Sequence, residues 1–460
     1  MKSLSRNTKL FAALYVFFLA AYLASSGNRL LHKSSDIHFS YQAQMFLHGQ
    51  LDLGHPGPNT NDWAEVDYLH LKDGRTVAGT FLRAMPNRFR SLDGQIESIA
   101  PVAIANRWKK YYVSFPPFPA FVFMPFVAIW GLNVNDVLLS VILAAFAPAL
   151  LFLILRKLSA RGDSTRSEQD DLWLTLMFGV GTVYFYTSVI GSVWYTAHVV
   201  VTVLTALFIL ASFEARYPFL AGLCLGAILL TRPHVSAWGV FFVWEAWRAR
   251  PRAENATLRW NDNIPWRALI LAGIPALAFA IAGGAFNWAR FHSIGEFGHF
   301  YLNVRWTDRI QRYGLTNFAF LARNLSVALT LTPKLLPRAP FIQVPWHGLS
   351  LLITTPAYLY VLWPRVKTPL HDVLWVIVAP IALMGLLYQN DGWVQFGYRF
   401  SNDFAIGLIM LLAIGGRPIT RTWKALILAG VAVNLFGAIT FGRMTQHYFD
   451  GFFPISQSDL

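Results

Sequence analysis

The stretch that decides the fold is Leu10-Phe11-Ala12-Ala13-Leu14-Tyr15-Val16-Phe17-Phe18-Leu19-Ala20-Ala21-Tyr22-Leu23-Ala24-Ser25, an uninterrupted apolar run near the N-terminus. A run of this length and composition is able to enter a bilayer as a helix. The segment from Asp36 to Lys110 instead carries acids, amides, glycines and prolines, which need water or a protein cavity. The sequence therefore predicts a membrane anchor followed by a large polar loop, and Asp36 is the first carboxylate of that loop.

The composition of the chain extends this prediction. Of its 460 residues, 55% are hydrophobic and 13% are charged, which suits many membrane spans better than a soluble core. The formal net charge of +14 comes from basic residues scattered between apolar runs. Cytoplasmic loop bias and anionic lipids explain such a pattern better than nucleic acid does. We expect an all-α, multi-pass protein of the plasma (inner) membrane that contacts membrane lipids and no nucleic acid.

The apolar runs predict about eleven membrane spans. After the first, the runs lie near residues 134–155, 172–190, 196–213, 219–230, 235–247, 268–288, 348–363, 373–388, 404–414 and 423–441. The run Phe115–Gly131 is short and rich in proline, so we interpret it as a juxtamembrane helix at the outer interface. Counting it as a span gives about twelve spans, but it would turn the basic loop after Leu155 outward, against the positive-inside bias.

The positions of arginine and lysine set the orientation. Lys2, Arg6 and Lys9 predict a cytoplasmic N-terminus, with the first run kept as a signal anchor. The same bias places these later basic residues inside: Arg156, Lys157, Arg161, Arg166, Arg248, Arg250, Arg252, Arg259, Arg267, Arg365, Lys367, Arg417, Arg421 and Lys424.

Three polar segments are then left on the extracytoplasmic side: residues 28–114, residues 290–345 and residues 389–403. In the first, the alternation of residues 67–77 around Asp73-Gly74 predicts a small β-hairpin. We find no repeat of fixed period, so residues 1–460 are interpreted as one membrane domain with two sizeable outer loops.

Five short segments carry a combined signal. They are Asp36 with Tyr41, Ala43, Met45 and Gly49; Lys110-Tyr111-Tyr112-Val113-Ser114-Phe115-Pro116-Pro117-Phe118-Pro119; Thr231-Arg232-Pro233-His234; Asn287-Trp288-Ala289-Arg290-Phe291-His292-Ser293 with Gly298; and Gly392-Trp393-Val394-Gln395-Phe396-Gly397-Tyr398-Arg399-Phe400. In this order, over almost the whole chain, they resemble motifs of the GT-C glycosyltransferases. The resemblance is to the protein O-mannosyltransferase and lipid A aminoarabinose transferase group, glycosyltransferase family 39.

The resemblance implies a reaction class. It implies an inverting transfer of a sugar from a polyprenyl-phosphate donor to a lipid, glycan or protein acceptor at the extracytoplasmic face. Phosphate is already a good leaving group, and the chain has no Asp-x-Asp or clustered ligand spacing that demands a metal. We therefore expect neither a metal nor another cofactor.

Asp36 is the expected catalytic residue. An acceptor hydroxyl must lose a proton as it attacks the anomeric carbon, and a carboxylate within hydrogen-bond reach serves as the general base. The leaving lipid phosphate calls for fixed cations. Arg399 is the leading candidate for that contact, with Arg232 and Lys110 behind it. Asp36 has a simpler interpretation as the N-cap of a helix continuing to Leu47.

Further substrate-binding candidates are His38, Asp62, Tyr112, His198 and His234. His38 is expected to line the pocket beside Asp36, and Asp62 to bind sugar. Three of them have a structural alternative: an interfacial histidine for His38, an Asx-rich turn for Asp62, and a hydrogen-bonded packing residue for His198. A polar hairpin tip is the alternative for the Arg232 and His234 pair, and an interfacial anchor is the alternative for Arg399.

Two other functional classes remain open. A polytopic transporter or lipid flippase would also have many spans and intramembrane polar residues. It would bind substrate near the bilayer midplane between repeated halves, whereas here the polar residues gather at the outer boundary and no internal symmetry is detected. A non-enzymatic assembly subunit would leave Asp36 and Arg399 without a shared cavity.

Overall fold

The computed structural model describes residues 6–250 and 264–451. Lys2, Arg252 and Arg259, three of the residues predicted to be cytoplasmic, lie outside these ranges. The helices are α1 (Arg6–Ser26), α2 (His38–Leu47), α3 (Phe118–Trp130), α4 (Asp136–Ala144), α5 (Phe146–Ala160), α6 (Glu168–Gly181), α7 (Tyr184–Ser188), α8 (Ser192–Ser212), α9 (Pro218–Leu229), α10 (Gly239–Arg248), α11 (Trp266–Phe291), α12 (Thr307–Tyr313), α13 (Leu321–Leu329), α14 (Leu351–Thr354), α15 (Pro369–Leu386), α16 (Ala405–Ile414) and α17 (Arg421–Thr440). The strands are β1 (Trp63–Leu71), β2 (Thr76–Leu82), β3 (Met85–Ser91), β4 (Ile96–Ser98), β5 (Ile104–Val113), β6 (Lys334–Leu335), β7 (Ile342–Pro345) and β8 (Tyr448–Phe449).

Among the described residues, six helical segments are long and apolar enough to cross a membrane. They are Arg6–Leu31, Asp136–Ala160, Ser192–Ala215, Trp266–Phe291, Pro369–Leu386 and Arg421–Thr440. These segments confirm the prediction that the protein is helical and has apolar helices of membrane-spanning length. Of the other predicted runs, 219–230 and 404–414 form the short helices α9 and α16 close to the predicted bounds, whereas 172–190, 235–247 and 348–363 are interrupted.

Two interruptions have local causes. The run at residues 172–190 is divided into α6 and α7 because Thr182 is extended, with φ −124° and ψ 171°. The run at residues 348–363 forms only α14 and a 3₁₀ segment, Pro356–Leu362. Proline disfavours helical geometry in the preceding residue, and Thr355 accordingly adopts φ −146° and ψ 67°.

The burial of the helices indicates which of them face lipid. Every residue of α16 is buried, as expected for a helix that is apolar on all sides and packed inside a bundle. In α11, by contrast, Ile270, Ile274, Leu277 and Ile281 recur at helical spacing and are 54% to 63% exposed. A continuous exposed stripe of this kind on a long helix marks a surface that contacts lipid.

The first outer loop contains a five-stranded antiparallel sheet in the order β4-β3-β2-β1-β5. The predicted hairpin is confirmed, since β1 pairs with β2 and Leu69 lies opposite Val77. The all-α prediction is wrong for this segment. The remaining strands were missed because β3, β4 and β5 are largely exposed and therefore lack the apolar alternation that reveals a half-buried strand.

The two long polar loops pack against each other. Ala64 of β1 forms an isolated antiparallel bridge with Leu302. Ala64 and Tyr112 share a small apolar core with Phe291 and Tyr301. The sheet is thereby fixed to residues 290–345, and several residues of that loop, such as His299 and Trp306, line the cavity described next.

Candidate functional site

A cavity of about 730 Å³ is bounded by the two long polar loops and by α8, α9, α11 and α15. Five of the sequence-predicted site residues line it: Asp62, His198, Arg232, His234 and Arg399. These residues come from four separate parts of the chain, and the fold brings them together.

The other four predicted site residues lie away from the cavity wall. Asp36 and His38 are buried behind it, next to Asn61. Lys110 lies on β5 and forms an ion pair with Asp52 at 3.3 Å. Tyr112 is buried, and its ring packs against that of Phe291 with centroids 5.2 Å apart. Lys110 and Tyr112 therefore take part in the structure of the sheet.

Asp36 supports the segment that forms one cavity wall. Its Oδ1 accepts hydrogen bonds from the side-chain amides of Asn59 at 3.0 Å and Asn61 at 3.1 Å. Its Oδ2 accepts from the hydroxyl of Ser35. The N-cap alternative is wrong, because α2 begins at His38 and its N-cap residue is Ile37, without a side-chain cap. Asp36 thus fixes the residues that immediately precede Asp62.

Asp62 is the carboxylate among the described lining residues. Its backbone lies in the left-handed region at φ 53°, a conformation that is uncommon outside glycine and concentrates at functional sites. Its Oδ2 accepts a 2.7 Å hydrogen bond from Nε1 of Trp194. Burial raises the pKa of the Asp62 carboxyl, although the Trp194 bond and the charge of Arg399 oppose the rise.

Asp403 organises the basic residues of the cavity. Its Oδ1 accepts from Nδ1 of His198 at 2.9 Å. Its Oδ2 accepts from Nη2 of Arg232 at 2.7 Å and from Nε2 of His234 at 2.9 Å. The Asp403 side chain is 1% exposed, so these three donors replace its lost hydration. We call Asp403, His198, Arg232 and His234 the Asp403 cluster.

The sequence interpretation missed Asp403 as a site residue. It lies at the end of the third outer segment, one residue before the apolar run that becomes α16. An acid at such a boundary was the available signal, because an ionisable group beside a membrane span needs a partner. That partner could not be identified, since Arg232 precedes Asp403 by 171 residues.

Arg399 is held against a tight loop. Its Nη1 donates to the carbonyl oxygens of Gly392 and Val394. Its guanidinium carbon lies 5.4 Å from the ring centroid of Tyr195, within cation–π range. Nε of Arg399 has no hydrogen-bond partner in the described part of the chain. Arg399 is therefore positioned by the backbone rather than neutralised by a carboxylate.

The opposite side of the cavity is apolar. Leu229 and Leu230 at the end of α9, Ala280 and Gly283 of α11, and Met384 of α15 contribute to it. An added Cβ at Gly283 would lie 2.4 Å from Leu230, so glycine permits the close approach of α9 and α11 at this wall. The cavity therefore joins a basic, hydrogen-bonding side to a side formed by membrane helices.

His38 makes the stability of this region depend on pH. Its ring stacks on Trp63 with centroids 4.0 Å apart, and its Nε2 bonds the carbonyl of Asn61 at 2.7 Å. Burial lowers the pKa of His38 to about 4, whereas a histidine in the unfolded chain has a pKa of about 6.5. As the pH falls, the unfolded chain therefore binds a proton before the folded protein does. Stability is then lost as pH falls, by about 2 kcal/mol at pH 5 for one such group.

We expect His38→Phe, which keeps an aromatic ring on Trp63, to reduce the difference between the thermal unfolding midpoints at pH 7 and pH 5. The exposed His70 provides the control. A His70→Phe variant should retain the wild-type difference. An unchanged difference in His38→Phe would contradict the assignment of this pH dependence to His38.

The chain was compared with family models, curated proteins and solved structures. No family model, curated protein or solved structure matches the chain. Function is therefore inferred from the cavity and from the motifs of the sequence.

Proposed function

We propose that the protein is an inverting glycosyltransferase of GT-C type that uses a polyprenyl-phosphate-linked sugar. The observation that carries the proposal is that Asp62, Arg232 and Arg399 line one cavity together with apolar residues of α9, α11 and α15. A carboxylate and two guanidinium groups supply the acid–base and anion-binding chemistry that the transfer needs. The sequence resemblance supports the same reaction class.

The cavity suits a lipid phosphate. The side formed by α9, α11 and α15 offers apolar surface to the prenyl chain. Arg399 and Arg232 lie on the basic side, where guanidinium groups bind phosphate oxygens through charge-assisted hydrogen bonds. His234 adds a further donor beside Arg232. The polar loops then leave space for the sugar and for a lipid, glycan or protein acceptor.

The reaction assigns roles to these groups. The acceptor hydroxyl oxygen attacks the anomeric carbon as the bond from that carbon to the phosphate oxygen breaks, and its proton passes to a carboxylate. The lipid phosphate leaves with the bonding electron pair, and Arg399 and Arg232 stabilise its charge. The resemblance assigns the base to Asp36, whereas the geometry favours Asp62. Asp62 lines the cavity and has a raised pKa, while Asp36 already accepts from Asn59, Asn61 and Ser35.

The proposal includes a topology. The shorter helices, such as α9 and α16, complete a set of about eleven to twelve membrane passages, as in the GT-C type. The basic N-terminus and the basic loops then face the cytoplasm, and the sheet and cavity face the outside of the inner membrane.

Removal of the Arg399 guanidinium tests the phosphate contact. We expect Arg399→Gln to weaken binding of undecaprenyl phosphate by about tenfold or more, because one charge-assisted contact is lost. Binding is measured by native mass spectrometry of the purified full-length protein in detergent. Arg399→Lys, which keeps the charge, should recover part of the affinity. Arg421→Gln, a charge removal at an exposed position outside the cavity, is the matched control.

A second measurement separates the enzyme from a transporter. Wild-type protein in lipid vesicles is supplied with undecaprenyl phosphate-linked hexoses and a membrane extract as acceptor. Release of undecaprenyl phosphate with a new glycosidic bond supports the transferase. Movement of the intact lipid-linked sugar across the bilayer, without bond exchange, would replace this proposal by a transporter or flippase.

A further inference from the structure

A second cavity lies at the other end of α8. It has a volume of about 290 Å³ and is formed where α5 and α8 end, beside the first turn of α1. A helix of the length of α8 spans about 30 Å, which is the thickness of the hydrocarbon core. Since Trp194 and His198 near the start of α8 line the first cavity, and Leu210 and Phe213 at its end line the second, the two cavities lie at opposite ends of this helix.

The polar residues that line this cavity are hydrogen-bond donors or cations. They are Asn7, Arg156, Lys157, Arg216 and Tyr217, and no acidic residue is among the lining residues that the structure describes. Two of the cations are paired from outside the cavity, Arg156 with Asp171 at 2.6 Å and Lys157 with Glu214 at 2.9 Å. The third cation of the lining is Arg216.

Arg216 is the unpaired cation of the cavity. It forms no salt bridge within 4.0 Å in the described ranges, although its charge also attracts the Glu214 carboxylate, less strongly than Lys157 does. Its guanidinium carbon lies 5.2 Å from the ring centroid of Tyr217. A guanidinium with free donors next to Lys157 and Arg156 matches the geometry of a phosphate group. The cavity therefore has the composition of an anion site.

The surroundings indicate the source of the phosphate. Leu153 and Leu210 contribute apolar lining. Tyr217 in the cavity lining and Phe219 and Leu220 next to it are 48% to 54% exposed, as expected for aromatic and apolar residues at a membrane interface. Basic pockets between membrane helices on the cytoplasmic side bind anionic headgroups. We propose that this cavity binds the phosphate of an anionic phospholipid, with Arg216 as the main contact.

Lipid binding by defined variants tests the proposal. The purified full-length protein is titrated with phosphatidylglycerol or phosphatidylcholine, and bound lipid is measured by native mass spectrometry. We expect a preference for phosphatidylglycerol, and about tenfold weaker phosphatidylglycerol binding in Arg216→Gln. Arg216→Lys should recover part of the affinity. Arg421→Gln removes an exposed charge outside this cavity and should bind as wild type does.

Three results would overturn the proposal. One is phosphatidylglycerol binding that is unchanged in a folded Arg216→Gln variant, and another is an equal loss in Arg216→Gln and Arg421→Gln, which would indicate general surface charge. The third is full displacement of the lipid by millimolar inorganic phosphate, which would identify a soluble anion as the ligand. None of these measurements needs sugar transfer, so the outcome is independent of the proposed enzymatic activity.

Discussion

Replacing Asp403 by asparagine is expected to destabilise the protein by about 3 kcal/mol, because it removes the buried carboxylate that pairs with Arg232 and accepts from two histidines. Asp403 accepts from His198, Arg232 and His234 at 2.7 to 2.9 Å, and its side chain is 1% exposed. An asparagine in its place has one acceptor oxygen and no charge. We expect a large fall in the thermal unfolding midpoint in detergent, together with loss of undecaprenyl phosphate binding.

The matched control is Asp308→Asn. Asp308 forms an ion pair with Arg83 at 3.9 Å, and both side chains are about half exposed. Exposed ion pairs contribute about 0 to 1 kcal/mol, so this variant should unfold close to the wild-type temperature. If Asp403→Asn were as stable as Asp308→Asn, the Asp403 cluster would not organise the cavity, and its part in phosphate binding would have to be abandoned.

Asp62→Asn is expected to have the largest effect on catalysis. Loss of a general base lowers rates by about 10² to 10⁴-fold, and we expect sugar transfer to fall within that range. The amide oxygen of asparagine still accepts the hydrogen bond from Trp194, so the local structure should persist. Transfer is measured as the release of undecaprenyl phosphate under single-turnover conditions, with donor binding determined in parallel.

Asp36→Asn distinguishes the two carboxylates. Asp36 is a positioning residue in our proposal, and its substitution should lower the rate less than Asp62→Asn does. The loss in Asp36→Asn should also be accompanied by a lower unfolding midpoint, because the bonds from Asn59 and Asn61 to Asp36 are disturbed. If a folded Asp36→Asn variant lost more of its transfer rate than Asp62→Asn does, Asp36 would be the general base. Wild-type transfer by Asp62→Asn would remove Asp62 from the mechanism.

The sequence predicted the elements whose signal is local. A long apolar run determines a membrane helix, as in Arg6–Leu31 and Ser192–Ala215. The alternation around Asp73-Gly74 determined the hairpin of β1 and β2. The exposed strands β3 and β5 gave no such signal, because their residues do not divide into a buried and a solvated face.

The grouping of the candidate site residues depended on long-range contacts. The sequence selected Asp62, His198, Arg232, His234 and Arg399 singly, from residue type and position at a membrane boundary. Their common cavity arises from long-range contacts such as the hydrogen bond between Arg232 and Asp403, which are 171 residues apart in the chain. Lys110, which the sequence weighed equally with Arg232, is directed to Asp52 on the sheet.

The sequence by itself determined that this is a helical protein with membrane-length apolar segments and polar outer loops, because hydrophobicity and its period are properties of neighbouring residues. Only the tertiary structure decided that Asp62 lines the cavity, whereas Asp36 lies behind the cavity wall and holds the residues next to Asp62. It also decided that Asp403 accepts hydrogen bonds from the basic residues of the cavity. The physical reason is that a buried charge requires a partner that is close in space. That partner can lie far away in the sequence.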